Sequence, residues 1–150
     1  YMEIVAEGGA SVVCSSMTAE DVQTFLSHPN VMVSSDGGIN ARHPRGAGTF
    51  PRVLAKFVRE EEVLTLEQAI HKMAAMPAER LGLEDRGVLT EGSWADVIAF
   101  NPETVIDRST FQDPFVIAEG IEYVFVNGML VWDEGEITEA RPGLVLRRGN

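Results

Sequence analysis

The stretch VMVSSDGGINARHPRGAGTFPR, residues 31–52, joins a short apolar run to a long polar loop. The run Val31–Val33 predicts a buried strand, because β-branched residues are favoured in strands. Asp36 follows two serines at the end of this strand, and His43 lies in the glycine-rich loop that precedes the next helix. Ligands of parallel sheets meet the carboxyl ends of the strands. We therefore expect this loop to carry the functional site.

The residues before the loop predict a strand, a helix and a second strand. SVVCSS, residues 11–16, is a β-branched run bounded by small residues and predicts the first strand. Thr18 is the expected N-cap of the helix, and Asp21 lies three residues later, which approximates a capping box. With the strand at 31–35, these elements form a βαβ unit, which predicts a parallel sheet with helices packed on it.

Further helices are predicted after the loop. Residues 50–62 place apolar side chains on one helical stripe. The next helix has Thr65 as its N-cap with Gln68 three residues later, and Pro77 is expected to end it and to lie at the start of a short helix over 78–83. We expect the inner face of the helix after Thr65 to be formed by Leu66, Ala69, Ile70 and Met73.

From Gly87 onward the pattern changes to β-branched runs separated by turn residues. DVIAF, residues 96–100, predicts one strand. IEYVFVNGMLVW, residues 121–132, predicts two strands joined by an Asn-Gly turn, the strongest short hairpin signal. We therefore place a domain boundary near residue 86, with an α/β part at 1–86 and a small β layer at 87–150.

The composition favours a folded domain with an acidic surface. Hydrophobic residues make up 45% of the chain, enough to build a core. The net charge of −11 repels phosphate backbones and anionic lipid, so nucleic acid and membranes are not expected partners. Cys14 is the single cysteine, which excludes an internal disulfide and fits a reducing compartment such as the cytoplasm. The first residues are typical of a fold interior, so we expect the chain to be cut from a longer protein.

Each candidate residue has a functional and a structural interpretation. Asp36 can transfer a proton or bind a metal, but Asp-Gly is also a common turn dipeptide. Arg45 can hold a substrate carboxylate through paired hydrogen bonds, and the alternative is a solvated loop arginine. His43 has no partner at metal-binding spacing, and the sequence contains no zinc motif of its own. Residues 46–49 precede the predicted helix and can bind an anion there. For Cys14, an inert buried thiol is favoured over a nucleophile.

Several motifs resemble one group of hydrolases. The sequence is similar to the C-terminal part of N-acyl-D-amino-acid deacylases, in the amidohydrolase superfamily, in the motifs SDG, HPR, GTFPR, WADVIAFNP and GIEYVFVNG. The resemblance extends over residues 11–148. It implies an α/β fold, with the C-terminal strands and helices of a zinc-dependent (β/α)8 barrel at 1–86 and a small β-sandwich portion at 87–150. It also implies hydrolysis of the amide bond of N-acyl-D-amino acids to a carboxylate and a D-amino acid.

The resemblance implies a role for each loop residue. Asp36 matches the aspartate that closes the eighth barrel strand, a general base and acid near or on the metal. Arg45 matches the arginine that holds the substrate α-carboxylate, and His43, in the same HPR motif, is assigned to substrate binding. The family's other zinc ligands lie upstream of this sequence, and Cys14 does not match them. We therefore expect the chain alone to be inactive, with the rest of the barrel supplied by an N-terminal part or a partner chain.

Two alternatives stay open from the sequence. A dihydroorotase-like or hydantoinase-like amidohydrolase would share the aspartate and the β-sandwich, although HPR and GTFPR are not expected in it. A non-catalytic fragment or interaction module would fit the lack of metal-ligand spacing.

Overall fold

A computed structural model describes residues 2–6, 16–38 and 42–147. The predicted first strand, apart from Ser16, and Cys14 lie outside the described residues. The described part is an α/β chain in which helices come first and a small antiparallel sheet follows. Its helices are α1 (Met2–Ala6), α2 (Ala19–Ser27), α3 (Arg45–Arg52), a π-helix (Val53–Glu60), α4 (Leu66–Met73) and α5 (Ala75–Leu81). None of these helices is both long enough and apolar enough to cross a membrane.

The capping box predicted at the start of α2 is confirmed. The Thr18 hydroxyl accepts a hydrogen bond from the Asp21 backbone N–H at 3.1 Å, and the Asp21 carboxylate accepts one from the Thr18 N–H at 2.8 Å. Two of the N–H groups that a helix start leaves unpaired are therefore satisfied.

The segment 31–35, for which a strand is predicted, is not paired in a sheet within the described residues. This segment is extended and has no strand partner among them. The predicted first strand of the βαβ unit lies outside the described residues apart from Ser16, so that unit stays a prediction. The segment itself is held by α4. The Val33 N–H donates to the Lys72 carbonyl at 3.1 Å, and the Lys72 Nζ donates to the carbonyls of His28 (2.5 Å) and Val31 (2.9 Å). A side chain of a neighbouring helix thus donates to the backbone carbonyls at the end of α2 and at the start of this segment.

The helix predicted from Phe50 begins five residues earlier, at Arg45. Its first turn is closed by the Gly48 N–H, which donates to the Pro44 carbonyl at 2.8 Å. Pro51 lies inside α3 and has no N–H to donate, and the chain continues as the π-helix. Glycines at 46 and 48 weaken the helical signal in the sequence, which is why the start was placed too late.

The α4 helix begins with the predicted capping box, since Thr65 and Gln68 exchange both hydrogen bonds. The sequence predicts that the helix ends at Pro77, but α4 ends at Met73 with Ala74 as its C-cap. Pro77 is instead the third residue of α5. Proline is tolerated in the first turn, where the N–H groups have no partner within the helix. The predicted inner face of α4 is wrong at Ile70, which is exposed, whereas the charged Lys72 is buried.

The second part forms a four-stranded antiparallel sheet in the order β1–β2–β3–β4. The strands are β1 (Val97–Phe100), β2 (Ile121–Val126), β3 (Met129–Asp133) and β4 (Glu136–Ile137). The predicted hairpin between β2 and β3 is confirmed. Its turn residues Asn127 and Gly128 have φ of 48° and 80°, as a type I′ turn requires.

The core contains residues from both parts of the chain. Val105, which follows β1, is fully buried and belongs to one apolar cluster with Leu26, Val53, Leu54, Leu64 and Ala69. Gly120, with φ of +80°, allows the start of β2 to approach Val105, because a Cβ there would lie 2.5 Å from the Val105 backbone. The loop between β1 and β2 is therefore packed against the helices that follow the candidate site.

Candidate active site

The structure brings Asp36 and Arg45 together. Arg45 Nη2 lies 3.1 Å from Asp36 Oδ2, and the two side chains are 42% and 85% exposed. Asp36 has a left-handed backbone, with φ of 46°, a conformation that aspartate adopts more readily than most residues. Both groups therefore remain accessible to a ligand while they contact each other.

The two segments that carry this pair meet at two glycines. A Cβ added to Gly37 would lie 2.7 Å from the Cα of Gly46. Gly37 follows Asp36 directly and Gly46 follows Arg45 directly, so the close backbone approach sets the separation of the two charged side chains. Any side chain at position 37 would push the segments apart.

His43 lies beside the pair and is tied to it by a hydrogen bond. Its Nδ1 accepts the backbone N–H of Arg45 at 3.1 Å. The proton of the neutral ring is therefore on Nε2, which leaves that nitrogen as a donor. The ring also packs edge-on against Phe111, with centroids 5.0 Å apart and planes at 81°. His43 is thus held in one orientation.

A cleft of about 350 Å³ opens next to these residues. One wall is formed by Gly37 and Gly38, which follow Asp36, by Gly46, which follows Arg45, and by His43. Pro114 and Phe115 form the other wall, and both come from the loop between β1 and β2. The candidate site therefore includes residues from the second part of the chain, which the sequence pattern did not indicate.

The sequence offers residues 46–49 as a weak anion-binding motif before the next helix, and the structure places them differently. Because α3 begins at Arg45, residues 46–49 lie within its first turns and not before it. The Gly48 N–H is already used by the Pro44 carbonyl, and the Gly46 N–H donates to the His43 carbonyl at 3.2 Å.

The described residues do not form a metal site by themselves. They contain no group of three or more His, Cys, Asp or Glu side chains that could hold an ion. Asp36 contacts Arg45, His28 Nδ1 accepts the Asn30 N–H at 3.2 Å, and His71 is exposed on α4. A zinc site needs three or four protein ligands, and Asp36 can supply one of them at most. We derive no catalytic step through a metal from these residues.

Residues 6–132 match the sequence profile of the amidohydrolase family, and the chain belongs to that family. The match spans both the segment that carries Asp36 and Arg45 and most of the antiparallel sheet.

Within this family, the chain is similar to N-acyl-D-amino-acid deacylases. It is 45% identical over 141 residues to an N-acyl-D-glutamate deacylase of Alcaligenes xylosoxydans xylosoxydans, covering 93% of this chain and 29% of the relative. A D-aminoacylase crystal structure matches with a TM-score of 0.84 and 42% identity, covering 88% of this chain and 28% of that one. The resemblance to the deacylases is therefore confirmed, and this chain spans less than a third of their length.

A second similar structure is an N-acyl-D-glutamate deacylase from Bordetella bronchiseptica in complex with zinc and a phosphonate mimic of the tetrahedral intermediate. It matches with a TM-score of 0.81 and 47% identity, covering 87% of this chain and 28% of that one. A dihydroorotase of Lactobacillus acidophilus is less similar, at 33% identity over 67% of this chain and 23% of the relative. The chain is thus more similar to these deacylases than to this dihydroorotase, which belongs to one of the alternatives that the sequence leaves open.

Proposed function

We propose that the protein to which this chain belongs hydrolyses the amide bond of N-acyl-D-amino acids, giving a carboxylate and a D-amino acid. In this proposal, residues 1–86 contribute to a (β/α)8 barrel and residues 87–150 to a small β-sandwich. The observation that carries the proposal is the contact of Asp36 with Arg45 beside a cleft, in a chain 45% identical to an N-acyl-D-glutamate deacylase.

Arg45 is proposed to bind the α-carboxylate of the substrate. A guanidinium has five N–H donors in a planar fork, and carboxylates accept two of them side by side. Asp36 contacts Nη2 of Arg45, and within the described residues the guanidinium has no second carboxylate partner, which supports a role for its other donors in binding the substrate. His43 is proposed to help bind the substrate, because its Nδ1 accepts the Arg45 N–H and its ring lines the cleft beside the same arginine.

Asp36 is proposed to transfer protons during hydrolysis. Amide cleavage needs a base that removes a proton from the attacking water and an acid that protonates the leaving nitrogen, and one carboxylate can do both in turn. The exposed carboxylate of Asp36 lies close to the arginine that would hold the substrate, so the scissile bond can be placed within its reach.

Zinc is the proposed cofactor because a similar deacylase is known in complex with it. Asp36 is the one ligand proposed from this chain, and the remaining ligands are proposed to lie upstream of it, which agrees with the lack of a group of three possible ligands in the described residues. When bound, zinc would polarise the scissile carbonyl and activate water.

A substrate panel on the full-length protein tests the proposal. We expect release of free D-amino acid from N-acetyl-D-glutamate, N-acetyl-D-aspartate or N-acetyl-D-methionine, with no turnover of their L-isomers. Hydrolysis of dihydroorotate or hydantoins alone would instead support the alternative amidohydrolase. The 150-residue chain tested separately is expected to be inactive and to bind no stoichiometric zinc; activity of this chain alone would contradict the proposed division of the site.

A further inference from the structure

The loop between β1 and β2 reaches across to the start of α3, the helix that carries Arg45. Ser109 in this loop is 3% exposed, and its Oγ donates to the Pro44 carbonyl at 2.9 Å. We propose that Ser109 is a positioning residue for Arg45, which orients the arginine toward the substrate carboxylate. This inference rests on the function proposed above.

The peptide between Pro44 and Arg45 connects Ser109 to the arginine. The Pro44 carbonyl and the Arg45 N–H belong to one planar unit, so the orientation of one fixes the other. Ser109 holds the carbonyl side of this plane, and His43 Nδ1 accepts the N–H on the opposite side. The backbone from which the Arg45 side chain extends is therefore fixed at both edges.

Gly48 makes room for this contact. Its N–H donates to the same Pro44 carbonyl at 2.8 Å. A Cβ on Gly48 would lie 2.5 Å from Ser109 Oγ and 3.2 Å from the Asp107 Cβ, so a side chain at this position would displace the loop. The glycine of the GTFPR motif is thus explained by the need to admit the buried serine.

Two other contacts hold the same loop independently of the serine hydroxyl. Asp107 accepts Arg52 Nε at 2.9 Å, at the far end of α3, and also accepts the Arg52 Nη2. Phe111 packs against His43. Because these anchors remain, we expect removal of the Ser109 hydroxyl to loosen the start of α3 while the fold is kept.

The expected effect is on substrate binding. An interaction with a non-reacting carboxylate is made in both the bound substrate and the transition state, and its loss raises KM with kcat unchanged. A single buried hydrogen bond corresponds to a change of about threefold to tenfold. Ser109→Ala should therefore raise KM for an N-acyl-D-amino acid by that factor and leave kcat within about twofold.

The experiment measures kcat and KM of the full-length enzyme in wild-type, Ser109→Ala, Gly48→Ala and double-variant forms. Gly48→Ala should raise KM as Ser109→Ala does, and the double variant should be no worse than the more affected single variant, because both disturb one contact. Ser93→Ala is the matched control, since its hydroxyl pairs with Thr90 at 2.7 Å outside the cleft, and it should leave KM unchanged.

A further comparison places Ser109→Ala in an Arg45→Met background, where it should have no additional effect on KM. If the wild-type enzyme is active and Ser109→Ala leaves KM unchanged, or lowers kcat instead, the inference is overturned and the proposed function still stands. A wild-type enzyme that hydrolyses no N-acyl-D-amino acid would overturn the proposed function and this inference with it. If Ser109→Ala does not fold, the KM of Gly48→Ala decides in the same way.

Discussion

Arg45 and Asp36 form an ion pair with 3.1 Å between Nη2 and Oδ2, although eight residues separate them in the sequence. Both side chains are accessible, and the backbones beside them are in contact through Gly37 and Gly46. An exposed pair of this kind contributes little to stability. The two residues can therefore be changed to test function with a small effect on folding.

Replacing Asp36 by asparagine in the full-length enzyme should abolish turnover. The amide keeps the shape of the carboxylate but cannot take up the proton of the attacking water, so kcat should fall by about 10²-fold to 10⁴-fold. The melting temperature should stay close to that of the wild-type protein because Asp36 is exposed. Asp133→Asn, at an exposed position of β3, is the control and should retain full activity. Unchanged kcat in Asp36→Asn would remove Asp36 from the mechanism.

Replacing Arg45 by lysine should weaken substrate binding although the charge is kept. Lysine has no planar fork for two parallel hydrogen bonds to a carboxylate. We expect KM to rise by roughly tenfold or more and kcat to change less. Arg80→Lys, on the exposed face of α5, is the matched control. Equal kinetics for Arg45→Lys and wild type would show that Arg45 does not bind the substrate carboxylate in this way.

Signals confined to a few neighbouring residues predicted the structure well. The capping boxes at Thr18 and Thr65 and the hairpin turn at Asn127 depend on contacts within four residues, and all three are present. Such contacts are set by local chemistry, so a single sequence is enough to identify them.

Features that depend on distant residues were missed. A strand at 31–35 needs a neighbouring strand, and the predicted neighbour lies outside the described residues apart from Ser16. Within them, the segment contacts Lys72, which no pattern near Val31 indicates. The residue that precedes α3 accepts a hydrogen bond from Ser109, 65 positions further along the chain, and no pattern near Arg45 indicates this contact. In the candidate site, Asp36 and Arg45 were identified from motifs, whereas Phe115 was not, because it comes from the second part of the chain.

Lys72→Met should destabilise the protein more than most single changes. Lys72 is 5% exposed, and its ammonium group donates to the carbonyls of His28 and Val31, so methionine would remove two charge-assisted hydrogen bonds from a buried position. We expect the free energy of unfolding to fall by roughly 2–4 kcal/mol, measured by urea denaturation. The other lysine of the sequence provides the control: Lys56 is partly exposed and pairs with Glu61 at 3.5 Å, so Lys56→Met should cost about 0–1 kcal/mol. Similar losses in the two variants would contradict the role assigned to Lys72.

The α2 cap should make part of the stability depend on pH. Hydrogen bonds from the Thr18 backbone and hydroxyl to the Asp21 carboxylate hold the pKa of Asp21 below its ordinary value. A group whose pKa is lower in the folded state stabilises the fold above its unfolded pKa, and this contribution is lost as the pH falls through the folded value.

The measurement compares the unfolding free energy of wild type and Asp21→Asn across pH. The difference should be largest near neutral pH and should shrink below about pH 4, where the carboxylate of the unfolded chain begins to protonate. Glu20→Gln removes a charge from the same first turn but breaks no capping hydrogen bond, so it should show a smaller difference at neutral pH. A difference for Asp21→Asn that stays constant down to about pH 2 would show that the capping carboxylate does not carry this stability.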